Sequence, residues 1–288
     1  MKEIKLKIEK KLEGKEIKFI LKNVLLLSNR VITKLKMFSD GITLNGNKAF
    51  VTVRVKENDL LVLRMYDEPS KNIEPSDLPL DIIFENEDIL IVNKPRNMPT
   101  HPSLNHYTDT LANAVMNHYR NKDFTFRVIT RLDRNTSGLV LIAKNKIAAQ
   151  QLSFQMENKQ IKKEYYAICH GCPEEKQGFI NAPIKRASYS GITRVIHPEG
   201  KESLTEYSVI KSDGNLSLLK LIPHTGRTHQ LRVHLAYIGT PIYGDELYGS
   251  TAQDCNATLL HCRKLSFSNP VNNEEMTLCA PLPEDMIL

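Results

Sequence analysis

Asp133 stands between Arg131 and Arg134 in the run Arg131-Leu132-Asp133-Arg134-Asn135-Thr136-Ser137-Gly138, and five apolar residues, 139–143, follow. A carboxylate in a turn that enters a buried strand is presented at a sheet end, here in a positive field that favours its ionised form. Read as bare residues, the same run is a turn closed by side-chain to backbone hydrogen bonds. Two further stretches carry reactive side chains. In Lys163-Glu164-Tyr165-Tyr166-Ala167 the strand period puts Tyr165 and Ala167 on one side and Tyr166 on the other, so only one tyrosine can line a given pocket. Thr225-Gly226-Arg227-Thr228-His229-Gln230-Leu231-Arg232-Val233-His234 supplies guanidinium and imidazole groups that bind phosphates or pair with a carboxylate.

Other chemistries have less support. Cys169-x-x-Cys172 lacks a second pair, and His224, His229 and His234 are spaced by five, which does not place them on one helical face, so no metal site is expected. No glycine-rich phosphate loop of the nucleotide-binding form occurs. The five cysteines (Cys169, Cys172, Cys255, Cys262, Cys279) form an odd, dispersed set, unlike a disulfide framework, which fits a reducing, cytoplasmic setting. No apolar run approaches the roughly 18–20 residues of a membrane span, and residues 1–11 alternate charge with Ile and Leu, so neither a membrane nor export is expected.

The chain of 288 residues, 41% apolar and 25% charged, is that of a globular protein of about two domains. Its net charge of +6 is concentrated: residues 1–70 hold 15 Lys and Arg against 9 Asp and Glu, and the remainder holds 24 of each. A basic module ahead of a neutral body suggests a polyanion tether. Within the body, residues 120–163 carry ten basic residues and three acids, one of them Asp133.

Periodicity predicts a strand at 4–8, helices at 17–26 and 29–38, and a hairpin in which Asn45-Gly46 joins Ile42 and Leu44 to an alternating Val51, Val53 and Val55, before a last strand at 60–63. Pro69, Pro75 and Pro79 mark a linker, giving a small α/β module at 1–70, a linker at 71–80 and a second domain at 81–288. In that domain strand-like runs (81–84, 89–92, 138–143, 165–169, 204–210, 216–222) and helical stretches (109–120, 146–157, 228–238) do not alternate regularly. The expectation is an α+β domain with a mixed, mostly antiparallel central sheet.

The Asp133 run resembles the signature of the RluA-type pseudouridine synthases, which isomerise uridine in ribosomal or transfer RNA. Ile91-Val92-Asn93-Lys94-Pro95 with His101-Pro102, the Tyr165 motif, the 225–234 motif, Gly244-Asp245 with Tyr248-Gly249, and Leu260-His261 match further family marks in order across 81–288. Residues 1–70 resemble a small RNA-binding domain named after a small-subunit ribosomal protein, with Arg30, Lys34 and Lys36 as its basic face. The sequence departs from the family at Thr130, where many members have His, at Asn135 in place of Asp, and at Arg96-Asn97 in place of Ala-Gly.

The resemblance implies the pseudouridine synthase fold and a cofactor-free reaction in which the C1′–N1 bond breaks, the uracil turns, and C1′ joins C5. It gives Asp133 the carboxylate role, attacking C1′ or removing the 2′ proton. Arg227 is then expected to pair with Asp133, and Tyr165 to stack on the uracil and help remove the C5 proton. Arg131 would fill the space left by the extruded base. Arg134, Thr136, Gly138, Lys163, His229, Gln230 and Arg232 are expected to contact substrate. The expected partner is RNA, ribosomal RNA of the large subunit first and transfer RNA second, bound by a monomer without metal.

Overall fold

Alternation at the start of the chain forms β1 (Lys2–Lys7), followed by a short helix α1 (Ile17–Phe19) that widens into a π-turn over Ile20–Val24, then α2 (Asn29–Met37), β2 (Ile42–Leu44), β3 (Asn47–Lys48) and β4 (Leu60–Met65). The computed structural model describes residues 2–66, 70, 72–188, 191–252 and 257–288. Pro69 and the neighbouring linker positions 67, 68 and 71, together with Cys255, lie outside the described residues. The four strands pair antiparallel in the order β1-β4-β2-β3. They enclose an apolar cluster that includes Ile17, Ile20, Leu21, Leu35, Leu61 and Leu63.

One expected strand is absent: β3 ends at Lys48, and residues 51–55 form turns and a single bridge. The Val51 and Val53 carbonyls instead accept from the N–H groups of Lys18 (2.8 Å) and Ile17 (2.9 Å), and Val55 accepts from Gly14 (2.8 Å). The first turn of a helix leaves N–H groups unpaired, and here a neighbouring segment satisfies them. The alternation of valines therefore records inward packing, not a ladder.

The rest of the described chain comprises β5 (Asp81–Glu85), β6 (Ile89–Lys94), α3 (Leu111–His118), β7 (Ser137–Ala143), α4 (Lys146–Glu157), β8 (Lys162–His170), β9 (Gln177–Asn181), β10 (Ile184–Arg186), β11 (Arg194–Ile196), β12 (Leu204–Ser212), β13 (Leu216–Pro223), α5 (Gln230–Tyr237), β14 (Leu260–Ser268) and β15 (Glu275–Cys279). Nine of these strands form one sheet among the described residues, ordered β5-β6-β7-β14-β8-β13-β12-β9 with β15 on β14. Among the described residues, only β7 and β14 pair in parallel. The sheet is thus mixed and mostly antiparallel, as its irregular pattern of strands and helices implied. β14 interrupts its apolar residues with Arg263 and Lys264, which hid it from periodicity.

β7 sits between β6 and β14, with 139–143 wholly buried. Burying such side chains stabilises by up to about 1.5–3 kcal/mol each, so this strand is a firm support for the turn before it. Its second residue, Gly138, has φ of +109°, and a Cβ there would lie 2.3 Å from the Cys262 carbonyl oxygen. Glycine is therefore required for β7 and β14 to meet. At the other end Asn145 caps α4 by accepting from the N–H groups of Ile147 (3.1 Å) and Ala148 (2.9 Å). Helix α4 carries Ile147 into the N-terminal cluster, while Lys146 Nζ donates to the Tyr66 carbonyl at 2.9 Å and the Gln151 amide donates to Leu25 O. The N-terminal unit thus abuts the element that follows the Asp133 strand.

Candidate active site

The turn that carries Asp133 is fixed by its backbone. Thr136 N–H donates to Asp133 O (3.1 Å), and the Leu132 carbonyl accepts from Thr100 Oγ1 (3.0 Å). The Arg134 carbonyl accepts from Lys94 Nζ (3.2 Å), whose other two donors go to the carbonyls of Pro95 (2.8 Å) and Met98 (2.8 Å). A lysine ammonium has three N–H groups, and all three are used to tie the loop after β6 to the Asp133 turn. Burial pushes Lys94 down to about 7, opposed by the nearby charge of Asp133. Asn97 has φ of +60°, a conformation that Asn tolerates, so Asn at a position where the family commonly has Gly keeps a left-handed turn. Thr130 is also absorbed locally, since its Oγ1 accepts from Leu141 N–H at 2.9 Å.

The Asp133 carboxylate is one-third exposed and faces two groups from the 225–234 motif: Arg232 Nη1 at 3.8 Å and His229 Nε2 at 3.9 Å. Arg232 is buried and bound through two parallel bonds to Asp245, Nε to Oδ2 at 2.6 Å and Nη2 to Oδ1 at 2.7 Å. Its guanidinium also lies over the Tyr248 ring, 4.9 Å from the centroid. This leaves Nη1 directed at Asp133.

His229 precedes α5 with φ of +57°, a left-handed conformation costing on the order of 1–3 kcal/mol outside glycine. That strain places its ring between two partners. Tyr248 Oη accepts from the Arg194 N–H at 2.9 Å and lies 2.7 Å from His229 Nδ1. With its own O–H donating to Nδ1, Tyr248 leaves the proton of a neutral His229 on Nε2, facing Asp133. Burial lowers the pKa of His229, Asp133 raises it, and Arg232 and Arg194 lower it further; the net effect is downward.

Tyr165 closes the floor. It is buried on β8 with its hydroxyl beside the Cys262 thiol, and burial, reinforced by Cys262 and Asp133, raises its pKa well above the ordinary phenol value. The phenolate is thereby disfavoured, so in the resting site Tyr165 offers a ring and a neutral hydroxyl. Burial also lowers the pKa of Lys163, with Cys262 opposing, at the edge of the same floor.

Several expected assignments move. Arg227 does not pair with Asp133: it is exposed, its Nε donates to the Glu202 carbonyl at 3.0 Å, and Arg232, one helical turn and more along the motif, takes the position. Gln230 does not face an open cleft. Its Oε1 accepts from Thr225 Oγ1 (2.8 Å) and Arg227 N (3.0 Å), and its amide donates to Leu204 O (3.0 Å) and Thr205 Oγ1 (3.0 Å), stapling the loop to β12. Gly138 serves the strand junction and Thr136 is buried in the turn, so neither offers a substrate contact. Arg131 and Arg134 remain exposed on the turn, Arg134 reaching Asn97 O at 3.5 Å. Arg30 and Lys36 are exposed on α2 and Lys34 is half-buried.

Lys94, Asp245 and Tyr248 lie within the family motifs, but their residue types alone assign them no role. A signal existed for Lys94, a lysine that ends β6 two residues past the apolar run 89–92. None existed for Asp245, which meets Arg232 only through tertiary folding.

Comparison with known proteins gives this geometry its family. The chain belongs to the RNA pseudouridylate synthase family, whose members match residues 88–237. It is 37% identical over 263 residues to an uncharacterized RNA pseudouridine synthase of Bacillus subtilis, YjbO, covering 90% of this chain and 93% of that protein. It is 35% identical over 230 residues to the ribosomal large subunit pseudouridine synthase D of Pasteurella multocida, covering 74% and 71% of the two chains. The human RNA pseudouridylate synthase domain containing 1 protein superposes with a TM-score of 0.60 at 29% identity, covering 70% of this chain and 83% of that one. The protein is therefore an isomerase acting on RNA.

Geometry separates the two arginines. Arg232→Gln is expected to lower kcat for uridine isomerisation about a hundredfold or more, whereas Arg227→Gln leaves kcat unchanged and raises KM by weakening the hold on RNA. Steady-state kinetics on the two purified variants decide it, and a fall in kcat confined to Arg227→Gln would restore the sequence-based pairing.

Proposed function

We propose that this chain converts uridine to pseudouridine in large-subunit ribosomal RNA, with Asp133 as the catalytic carboxylate. The observation that carries the reading is the carboxylate itself: one-third exposed, with Arg232 and His229 within 4 Å, on a turn anchored by Lys94. The reaction adds and removes no atoms overall. The C1′–N1 bond breaks with its electron pair leaving on the uracil, the base turns, C5 bonds to C1′, and the C5 proton is lost while N1 gains one. Asp133 acts at the sugar, as nucleophile on C1′ or base toward the 2′ proton. Arg232 orients it, and the Nε2–H of His229 adds a neutral donor at the same carboxylate. Tyr165 supplies a flat surface for the extruded uracil.

Relatives that are named large-subunit synthases support the choice of RNA. The basic N-terminal unit supports a second hold on it, with Arg30, Lys34 and Lys36 as the phosphate-binding residues on α2.

Purified protein incubated with ribosomal and transfer RNA tritiated at uridine C5 is expected to release tritium from large-subunit RNA. Asp133→Asn, close in shape but unable to act as nucleophile or base, is expected to release none while binding RNA normally. Turnover by the variant would remove Asp133 from the chemistry, and release from transfer RNA alone would reassign the substrate. Replacing Arg30, Lys34 and Lys36 with Gln in the full chain is expected to flatten the dependence of log affinity on log salt by about 0.7–0.9 for each phosphate no longer neutralised. An unchanged slope would end the tether role.

A further inference from the structure

The loop between β6 and α3 presents two large side chains to solvent beside the Asp133 turn. Leu104 is 79% exposed and Tyr107 63%, and neither joins a hydrophobic cluster of the described residues. An exposed leucine on a loose loop needs no explanation. This one sits on a closed turn. Ser103 and His106 exchange backbone hydrogen bonds of 2.9 Å each, and Asn105 between them has φ of +65°. A positive φ at the second central residue is that of a type II turn, with Asn where glycine is favoured and Leu104 beside it at the tip.

Both flanks of the turn are anchored. His106 Nδ1 lies 2.6 Å from Asp109 Oδ2, and the wholly buried Asn113 of α3 donates to the carbonyls of Tyr107 (2.9 Å) and Glu74 (2.7 Å). On the other flank the Pro99 and Thr100 carbonyls accept from the N–H groups of Leu111 (2.9 Å) and Ala112 (3.2 Å). The same loop follows the Asp133 turn. Thr100 Oγ1 bonds the Leu132 carbonyl, Arg134 Nε reaches the Asn97 carbonyl, and burial followed by the charge of Arg131 lowers the pKa of His101. The hydrogen bond from His106 holds the Asp109 carboxyl below the usual carboxylate range, and the charge of Arg134 adds to it. Leu104 is no more than about 11 Å of backbone from His101, so the tip stands at the rim of the site.

An apolar tip fixed in water forfeits the burial open to it elsewhere, and the reaction offers a place for it. Extruding a uridine from folded RNA leaves a gap between its neighbours, and an apolar side chain can occupy such a step. We propose that Leu104 enters the RNA base stack at the step vacated by the extruded uridine, with the Tyr107 ring stacking on the adjoining base. Leucine serves as a wedge of this kind, and an aromatic face binds any base without reading its identity. Arg131 and Arg134, exposed on the adjoining turn, supply charge for the phosphates on either side. The inference rests on the RNA isomerase activity and does not depend on which RNA is the substrate.

The test measures tritium release from total RNA labelled at uridine C5, using the full chain as wild type and as Leu104→Ala, Leu104→Met, Tyr107→Ala and Arg131→Ala. Because Leu104 and Tyr107 are exposed, the loop variants are expected to melt at the wild-type Tm. Leu104→Ala is expected to lower kcat/KM about tenfold and Tyr107→Ala several-fold, whereas Leu104→Met, which keeps the bulk, is expected to stay within about twofold of wild type. On pieces of the same RNA too short to hold a helix, where the uridine is already unstacked, Leu104→Ala is expected to equal wild type. A wild-type rate for Leu104→Ala on intact RNA would overturn the proposal. So would an equal deficit on intact and fragmented RNA, a fall in Tm that parallels the loss, or a deficit confined to Arg131→Ala.

Discussion

Arg232 is almost wholly enclosed by protein yet carries a full charge, and Asp245 is the group that makes this tolerable. Removing a guanidinium and a carboxylate from water is expensive, and only close, parallel hydrogen bonds offset it. A buried pair of this kind is weak grounds for stability, because apolar residues of equal volume often fold as well. What it provides here is direction: Nε and Nη2 are committed to Asp245, the Tyr248 ring covers one face, and Nη1 is left facing Asp133. His229 is set by the same shelf through the Tyr248 hydroxyl. Two residues of the 225–234 motif are thus aimed by two residues of the Asp245–Tyr248 segment.

The carboxylate that they face is held from the other side. Lys94 uses its three protons on carbonyls of two loops, and Gly138 lets β7 meet β14 so closely that the Asp133 turn begins from a rigid junction. Both devices act on backbone, which leaves the Asp133 side chain open to solvent and substrate. The strand then runs into α4, against which the N-terminal unit packs. Under the proposed tether role, RNA bound by that unit would be registered against the element that carries the site.

Much of this was legible in the sequence, for physical reasons that can be named. Long apolar runs such as 89–92 and 139–143 have to be buried strands, and α4 appears at the very residues where its periodicity lies. Asp133, Tyr165 and the 225–234 motif stood out because their types and order match a known chemistry. Which arginine meets the carboxylate was not legible. Arg227 and Arg232 are chemically alike, and only the left-handed turn at His229 and the fold-dependent meeting with Asp245 turn one outward and the other inward. β14 escaped notice for a related reason, since its central charges are tolerated where one face of the strand is partly open. The valines of 51–55 misled because inward packing and strand pairing leave the same alternation.

The central claim is that Asp245 positions Arg232, which positions Asp133. Its most direct test is the kinetics of Asp245→Asn, assayed by tritium release at a temperature where circular dichroism shows the variant folded, with Asp245→Glu as the conservative control. The account predicts a fall in kcat of about a hundredfold with KM for RNA little changed, since the carboxylate is misaimed while RNA binding persists, and partial recovery in Asp245→Glu. A folded Asp245→Asn with wild-type kcat would contradict it.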